Sequence, residues 1–145
     1  MYRVLFLMLF LTSHVDAASI RDKNHGTLLV SEVTSIYDGD TFRANIKGLH
    51  SLIGERISIR VAGIDTPEIR GKCKKEKDLA RRAKKVTVEM LRSGKVIELR
   101  NTKRGKYFRI VADVFVDDKK LSDTLIASDL AVSYDGGTKA KDWCL

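Results

Sequence analysis

From residue 27 to residue 116 the chain alternates short β-rich runs with turn residues, and a single long amphipathic stretch interrupts the series. Thr27 to Tyr37 and Asp40 to Lys47 are two such runs, separated by Asp38-Gly39, a dipeptide that favours a tight hairpin. The first two strands are therefore expected to pair antiparallel. Arg56 to Gly63 alternates strictly: Ile57, Ile59 and Val61 fall on one face, Ser58, Arg60 and Ala62 on the other, so a core-facing aliphatic row turns Arg60 the opposite way.

The interruption has a different period. Leu79, Ala83, Val86 and Met90 recur at helical spacing, with Arg81, Arg82, Lys84 and Lys85 between them, which predicts an amphipathic, basic helix from about Glu76 to Arg92. That basic face reads first as a solvated one. Lys95 to Arg100 and Phe108 to Val116 read as two further strands, followed by a turn at Asp117-Asp118-Lys119. A short helix is expected from an N-cap at Ser122 to about Asp129, with Leu121 and Ile126 at the spacing of a hydrophobic staple. Five short strands and one inserted helix, in a small basic chain, match a mostly β protein with helices: a five-stranded, partly open Greek-key barrel of the OB type with packed helices.

The chain has 145 residues, room for one small domain. With 27 Lys+Arg against 19 Asp+Glu its formal charge is +8, which draws it toward polyanions or acidic surfaces. Apolar residues at 43%, ten glycines and one proline exclude disorder, collagen and coiled coil.

Met1 to Ala17 has the form of an export signal: Arg3, the apolar run Val4 to Leu11, and small residues at Val15 and Ala17 before a cleavage point. The run is shorter than the roughly 20 residues a bilayer span requires. Removal leaves a single domain from residue 18 to residue 145, expected in the periplasm or the medium. Export makes Cys73 and Cys144 a candidate disulfide, since that compartment is oxidising. Two cysteines are too few for structural zinc, and His25 and His50 show no ligand spacing.

Acids and arginines concentrate in three segments: Asp38-Gly39-Asp40-Thr41, Arg60 with Asp65-Thr66-Pro67-Glu68, and Lys106-Tyr107-Phe108-Arg109. Pro67 fixes its own backbone and pushes Thr66 into an extended conformation, so the Asp65 carboxylate and the Thr66 carbonyl are held in a fixed presentation. Such oxygens, with Asp40, suit a hard cation such as calcium. Glu68, three residues beyond Asp65, lies too far along the chain to share the ion but close enough to address a water beside it. Guanidinium forks at Arg60 and Arg109 grip phosphate oxygens in pairs and offset the charge that grows at a pentacoordinate phosphorus. The chemistry they suit is phosphodiester hydrolysis. Asp38 either orients metal-bound water or closes the hairpin.

On these strings the chain resembles the staphylococcal nuclease (thermonuclease) family from about Thr27 to Tyr134. The matching residues are Asp38-Gly39-Asp40-Thr41, the segment RVAGIDTPE from Arg60 to Glu68, Lys106-Tyr107 with Arg109, and Leu130-Ala131 leading to Tyr134. The resemblance implies an OB-fold barrel with packed helices, and calcium-dependent endonuclease cleavage of DNA and RNA that leaves 3′-phosphate ends. It implies Asp40, Asp65 and the Thr66 carbonyl as calcium ligands, Arg60 and Arg109 as phosphate clamps, and Glu68 as the water-activating group. Lys106 and Tyr107 would touch a neighbouring phosphate, and Tyr134 would flank the bound nucleotide.

The chain also departs from that family. Tyr107-Phe108-Arg109-Ile110 stands where members often have Tyr-Gly-Arg-Gly, the stretch after Glu68 is short and contains Cys73, and no long final helix precedes Leu145. The expectation is a monomeric exported nuclease. The alternatives are a non-catalytic OB-fold module that binds nucleic acid, and an exported interaction domain whose basicity serves anionic envelope surfaces. Neither needs Arg60, Glu68 and Arg109 together.

Overall fold

The computed structural model describes residues 23–145, so the export segment read at Met1 to Ala17 lies outside the described residues. The elements run β1 (Leu28–Ile36), β2 (Thr41–Ile46), α1 (Ser51–Gly54), β3 (Ile57–Val61), β4 (Ile64–Asp65), α2 (Lys74–Ser93), β5 (Ile97–Arg104), a 3-10 turn (Lys106–Phe108), β6 (Ile110–Val116), β7 (Lys119–Lys120), α3 (Leu121–Ala127) and β8 (Val132–Ser133). β1 pairs antiparallel with both β2 and β5, β2 with β3, and β5 with β6. A parallel pairing of β3 with β6, Ile59 opposite Ile110 and Arg60 opposite Val111, closes the five strands into a barrel. With the helices packed on it, this is the OB-fold architecture expected from the sequence.

Closure needs strands that bend. β1 shifts register twice against β2, between Val30 and Glu32 and between Val33 and Ser35, and β5 shifts once between Arg100 and Lys103, where Asn101 takes a φ of 54°. Such bulges raise local twist and coil a strand around the barrel axis. The bulge at Asn101 also breaks the alternation, so β5 continues to Arg104 although the sequence pattern stops at Arg100.

The core follows from the two periodicities. Phe42 and Ala44, Ile59 and Val61, Leu99, Ala112 and Val114 point inward from alternate strand positions and are fully buried. α2 closes the barrel with Ala80, Ala83, Thr87 and Leu91 along its buried line, flanked by the partly buried Leu79, Val86 and Met90. The small residues in that line let the helix axis approach the sheet closely.

α3 departs from its sequence reading. Its N-cap is Lys120, which makes no side-chain capping bond, and Ser122 lies inside the first turn with its hydroxyl on Asp123. Leu121 and Ile126 form no staple: Leu121 is the first helical residue and fully buried, while Ile126 is exposed. Burial of Leu121 and Leu125 in the core fixes where this helix begins, in place of side-chain capping.

The C-terminal segment runs back across the barrel mouth. β8 pairs antiparallel with β4, Ile64 opposite Ser133 and Asp65 opposite Val132. Cys144 is joined to Cys73 by a disulfide, with Cα atoms 6.0 Å apart, and Trp143 beside it is buried.

Candidate active site

The β1–β2 connection carries two buried acids. Asp38 and Asp40 are 5% and 1% exposed, and the Tyr37 amide donates to the Thr41 carbonyl at 2.9 Å across the loop. Neither Asp38 nor Gly39 adopts a positive φ, so the glycine answers a close approach and not a turn type. A Cβ at Gly39 would lie 2.8 Å from Ala83 Cβ on α2 and 3.0 Å from Thr66 Cγ2. The absent side chain lets the loop press against both elements, which brings Asp40 toward the segment that carries Asp65 and Thr66.

Arg60 then joins the two segments. It leaves β3 on the face away from the core, as alternation predicts, but it is covered by acids and only 17% exposed. One guanidinium nitrogen, Nη1, pairs with Asp40 Oδ1; the other, Nη2, lies 3.6 Å from Asp65 Oδ1 and 3.3 Å from the Ile64 carbonyl oxygen. The Thr66 amide donates to Asp40 Oδ2 at 3.3 Å and the Thr41 hydroxyl to Asp40 Oδ1 at 2.8 Å. One fork therefore spans carboxylates that are 25 positions apart in sequence.

Glu68 follows on a short loop whose shape depends on Glu76. The Glu76 carboxylate accepts from the Lys72 amide at 2.8 Å and from the Glu68 amide at 3.3 Å, and a Cβ at Gly71 would collide with it. Glu76 is itself buried, and it occupies the third position of α2 after the N-cap Cys73. An acid at that position is the legible trace of a capping arrangement, although here it serves the preceding loop and not the cap residue.

Lys139 is a member of this cluster that the sequence reading missed. Its Nζ lies 2.7 Å from Asp65 Oδ1 and donates to Glu68 Oε1 at 2.7 Å. Burial opposes its charge, but the two carboxylates outweigh that cost and hold its pKa above the usual lysine value. Nothing local in the sequence marks Lys139, because its partners lie about 70 positions upstream.

Asp38 behaves differently. Burial first, and then the charge of Asp40, push its carboxyl up to about 7, although the Asp40 amide donates to it at 3.2 Å and opposes the rise. That bond lies within the loop, as hairpin closure requires.

The third segment makes no hydrogen bond or ion pair with this cluster among the described residues. Arg109 immediately precedes β6, whose first residue Ile110 pairs with Ile59, the neighbour of Arg60 on β3. Its Nε is buried without a hydrogen-bond partner, and among the described residues no ion pair ties it to Asp40, Asp65 or Glu68. Lys106 and Tyr107 lie on the exposed 3-10 turn, with Tyr107 91% exposed. Tyr107 and Phe108 take φ values of 56° and 58°, left-handed geometry that costs about 1–3 kcal/mol per non-glycine residue. The turn keeps a backbone that glycine would adopt freely, and the Arg104 guanidinium covers the Phe108 ring at 4.1 Å. Tyr134 sits on the other side: its amide donates to the Gly63 carbonyl, and its ring lines an open groove of about 840 Å³ with Asp65 and Lys139.

The donors around Asp40 and Asp65 fit a hard cation. Both carboxylates are buried, Asp65 Oδ1 accepts no well-angled hydrogen bond, and every candidate ligand is oxygen. Among the described residues, the one group of three or more His, Cys, Asp or Glu ligand atoms lying within 4.8 Å of one another is Cys73, Glu76 and Cys144. Its two sulfurs are spent in the disulfide.

Comparison with known proteins bears on the same stretch. A family model described as staphylococcal nuclease homologue matches residues 58–143, which takes in Arg60, Asp65, Thr66, Glu68, Lys106, Tyr107, Arg109, Tyr134 and Lys139. The chain is 31% identical over 121 residues to the Bacillus subtilis (strain 168) protein named "Endonuclease YncB", covering 81% of this chain and 54% of that one. It is 30% identical over 149 residues to "Probable endonuclease C19F8.04c" of Schizosaccharomyces pombe (strain 972), covering 86% of this chain and 63% of that one. The chain thus spans just over half to under two thirds of the length of these relatives.

Proposed function

The chain belongs to the staphylococcal nuclease homologue family, and from that premise we propose that it is an exported, calcium-dependent endonuclease that hydrolyses phosphodiester bonds in DNA and RNA and leaves 3′-phosphate ends. The observation that carries this reading is the Arg60 fork spanning Asp40 and Asp65, with Thr66 pinned to Asp40 and Glu68 on the next loop. A module that only binds nucleic acid has no use for buried acids gathered around an arginine. The net charge of +8 supplies the attraction for a polyanion.

Asp40, Asp65 and the Thr66 carbonyl would hold the calcium ion, which when bound supplies positive charge to a phosphate oxygen and makes a neighbouring water more acidic. Glu68 accepts a proton from the attacking water as its oxygen bonds to phosphorus. Arg60 and Arg109 grip the non-bridging oxygens and offset the charge of the pentacoordinate state. The bond from phosphorus to the 5′-oxygen breaks, and that oxygen leaves with a proton taken from solvent. Lys106 and Tyr107 contact the adjacent phosphate, and Tyr134 lies along the nucleotide in the groove. The protein works as a monomer.

Digestion of plasmid and RNA by the protein, with calcium and then with chelator, tests this reading. Calcium-dependent fragments with 3′-phosphate ends are expected, and Glu68→Gln should abolish most of the rate. Intact nucleic acid under both conditions would overturn it.

A further inference from the structure

The cation between Asp65 and Glu68 is delivered by a strap that is fixed at both ends. Upstream, the Tyr134 amide is bound to Gly63, its hydroxyl donates to the Gly137 carbonyl at 2.6 Å, and the Asp135 carboxylate accepts from the Gly137 amide at 3.0 Å. Gly136 makes the bend between them at a φ of 99°, in a region that favours glycine. Downstream, Trp143 is buried and Cys144 is covalently tied to Cys73 beside the N-terminus of α2. Lys139 lies between these anchors, with its side chain 43% exposed and its ammonium equally close to one oxygen of each carboxylate.

From this juxtaposition we propose that Lys139 is a positioning residue of the site, an ammonium that bridges Asp65 to Glu68 and thereby fixes Glu68 beside the cation-binding oxygens. The proposal rests on the nuclease reading above. Glu68 is half-exposed, and its other hydrogen bonds are made by its backbone, the amide donating to Glu76 Oε1 and the carbonyl accepting from the Gly71 amide, so without Lys139 its carboxylate is free to rotate toward solvent. A displacement of about 1 Å in a group that addresses an attacking water costs up to about a hundredfold in rate.

The same geometry has an opposite consequence for cation binding. A fixed positive charge 2.7 Å from an Asp65 oxygen opposes the arrival of a divalent ion on that carboxylate. Lys139 therefore trades cation affinity for the aim of Glu68. Loss of the lysine should slow turnover while tightening calcium, a pair of signs that general damage to the fold does not produce.

The test compares wild type, Lys139→Ala and Lys139→Arg. Calcium binding is measured by titration calorimetry on the full exported chain without nucleic acid, and turnover on plasmid. Lys139→Ala is expected to bind calcium about tenfold more tightly and to turn over about ten- to a hundredfold more slowly, with Lys139→Arg within a few-fold of wild type in both. Unchanged calcium affinity and turnover in Lys139→Ala, or weaker calcium binding in it, would overturn the assignment. Because calorimetry needs no substrate, a wild type that binds calcium but cleaves nothing sinks the nuclease reading while the affinity comparison still decides whether Lys139 opposes the ion.

Discussion

The Thr87 hydroxyl on α2 donates to the carbonyl oxygen of Gly39 at 2.7 Å, a buried bond between residues 48 positions apart. It ties the helix that closes the barrel to the loop that carries Asp38 and Asp40. Thr87→Val keeps the volume and removes the donor, leaving a buried carbonyl unsatisfied at a cost of about 1–3 kcal/mol. The variant is expected to unfold at lower urea with an unchanged slope and, on the proposed nuclease reading, to cut plasmid more slowly as Asp40 loosens. An unfolding curve that superimposes on wild type would show that this bond does not hold the loop.

Local pattern carried much of the barrel. The Ile57, Ile59, Val61 alternation placed β3 and turned Arg60 away from the core, and the helical spacing of Leu79 through Met90 placed α2, because each signal repeats within a few residues. Gly39 was legible as punctuation but not as the point where α2 and Thr66 leave no room for a side chain, since that crowding exists only after closure. Lys139 left no local trace for the same reason, its partners being distant in the chain. The start of α3 was misread because Leu121 is drawn into the core, a tertiary demand that outweighs the capping preference of Ser122.

Asp38 gives the fold a pH dependence of definite sign. Its carboxyl titrates near 7 in the folded chain against an ordinary value of 3.8, so the folded state binds its proton more tightly. The stability this confers is complete below about pH 4 and is lost as pH rises through about 7, where an ionised Asp38 faces Asp40. In chelator, Asp38→Asn should therefore gain on wild type progressively between those values and hold a constant advantage above them. Denaturant titrations across the range measure the difference, and parallel profiles for the two proteins would contradict the shift.

Removal of the Cys73–Cys144 bridge tests how far the C-terminal strap depends on it. The bridge closes a loop across 71 positions, and loss of a disulfide of this kind costs roughly 2–5 kcal/mol. Cys144→Ala should unfold at lower denaturant. It should also shift the fluorescence of Trp143, the one tryptophan, toward a solvated spectrum as the strap lifts. Reduction of the wild-type protein should reproduce both changes, and a variant with unaltered emission would mean that packing of Trp143 alone retains the strap.

Arg60 separates charge from geometry. Arg60→Ala strips the counter-charge from two buried carboxylates, which costs about 3–5 kcal/mol when one partner of a buried pair is removed, so a loss of activity there is ambiguous. Arg60→Lys keeps a positive charge near Asp40 and preserves more of the fold. It cannot supply two parallel donors, because an ammonium is a point charge where a guanidinium is a planar fork. Turnover of Arg60→Lys on plasmid should fall by about 10²–10³ while calcium affinity and thermal midpoint stay near those of wild type. Arg109→Lys should behave alike if the Arg109 guanidinium grips the phosphate in pairs as Arg60 does. Wild-type turnover in Arg60→Lys would show that the site needs only a cation at that position and that the fork between Asp40 and Asp65 is structural.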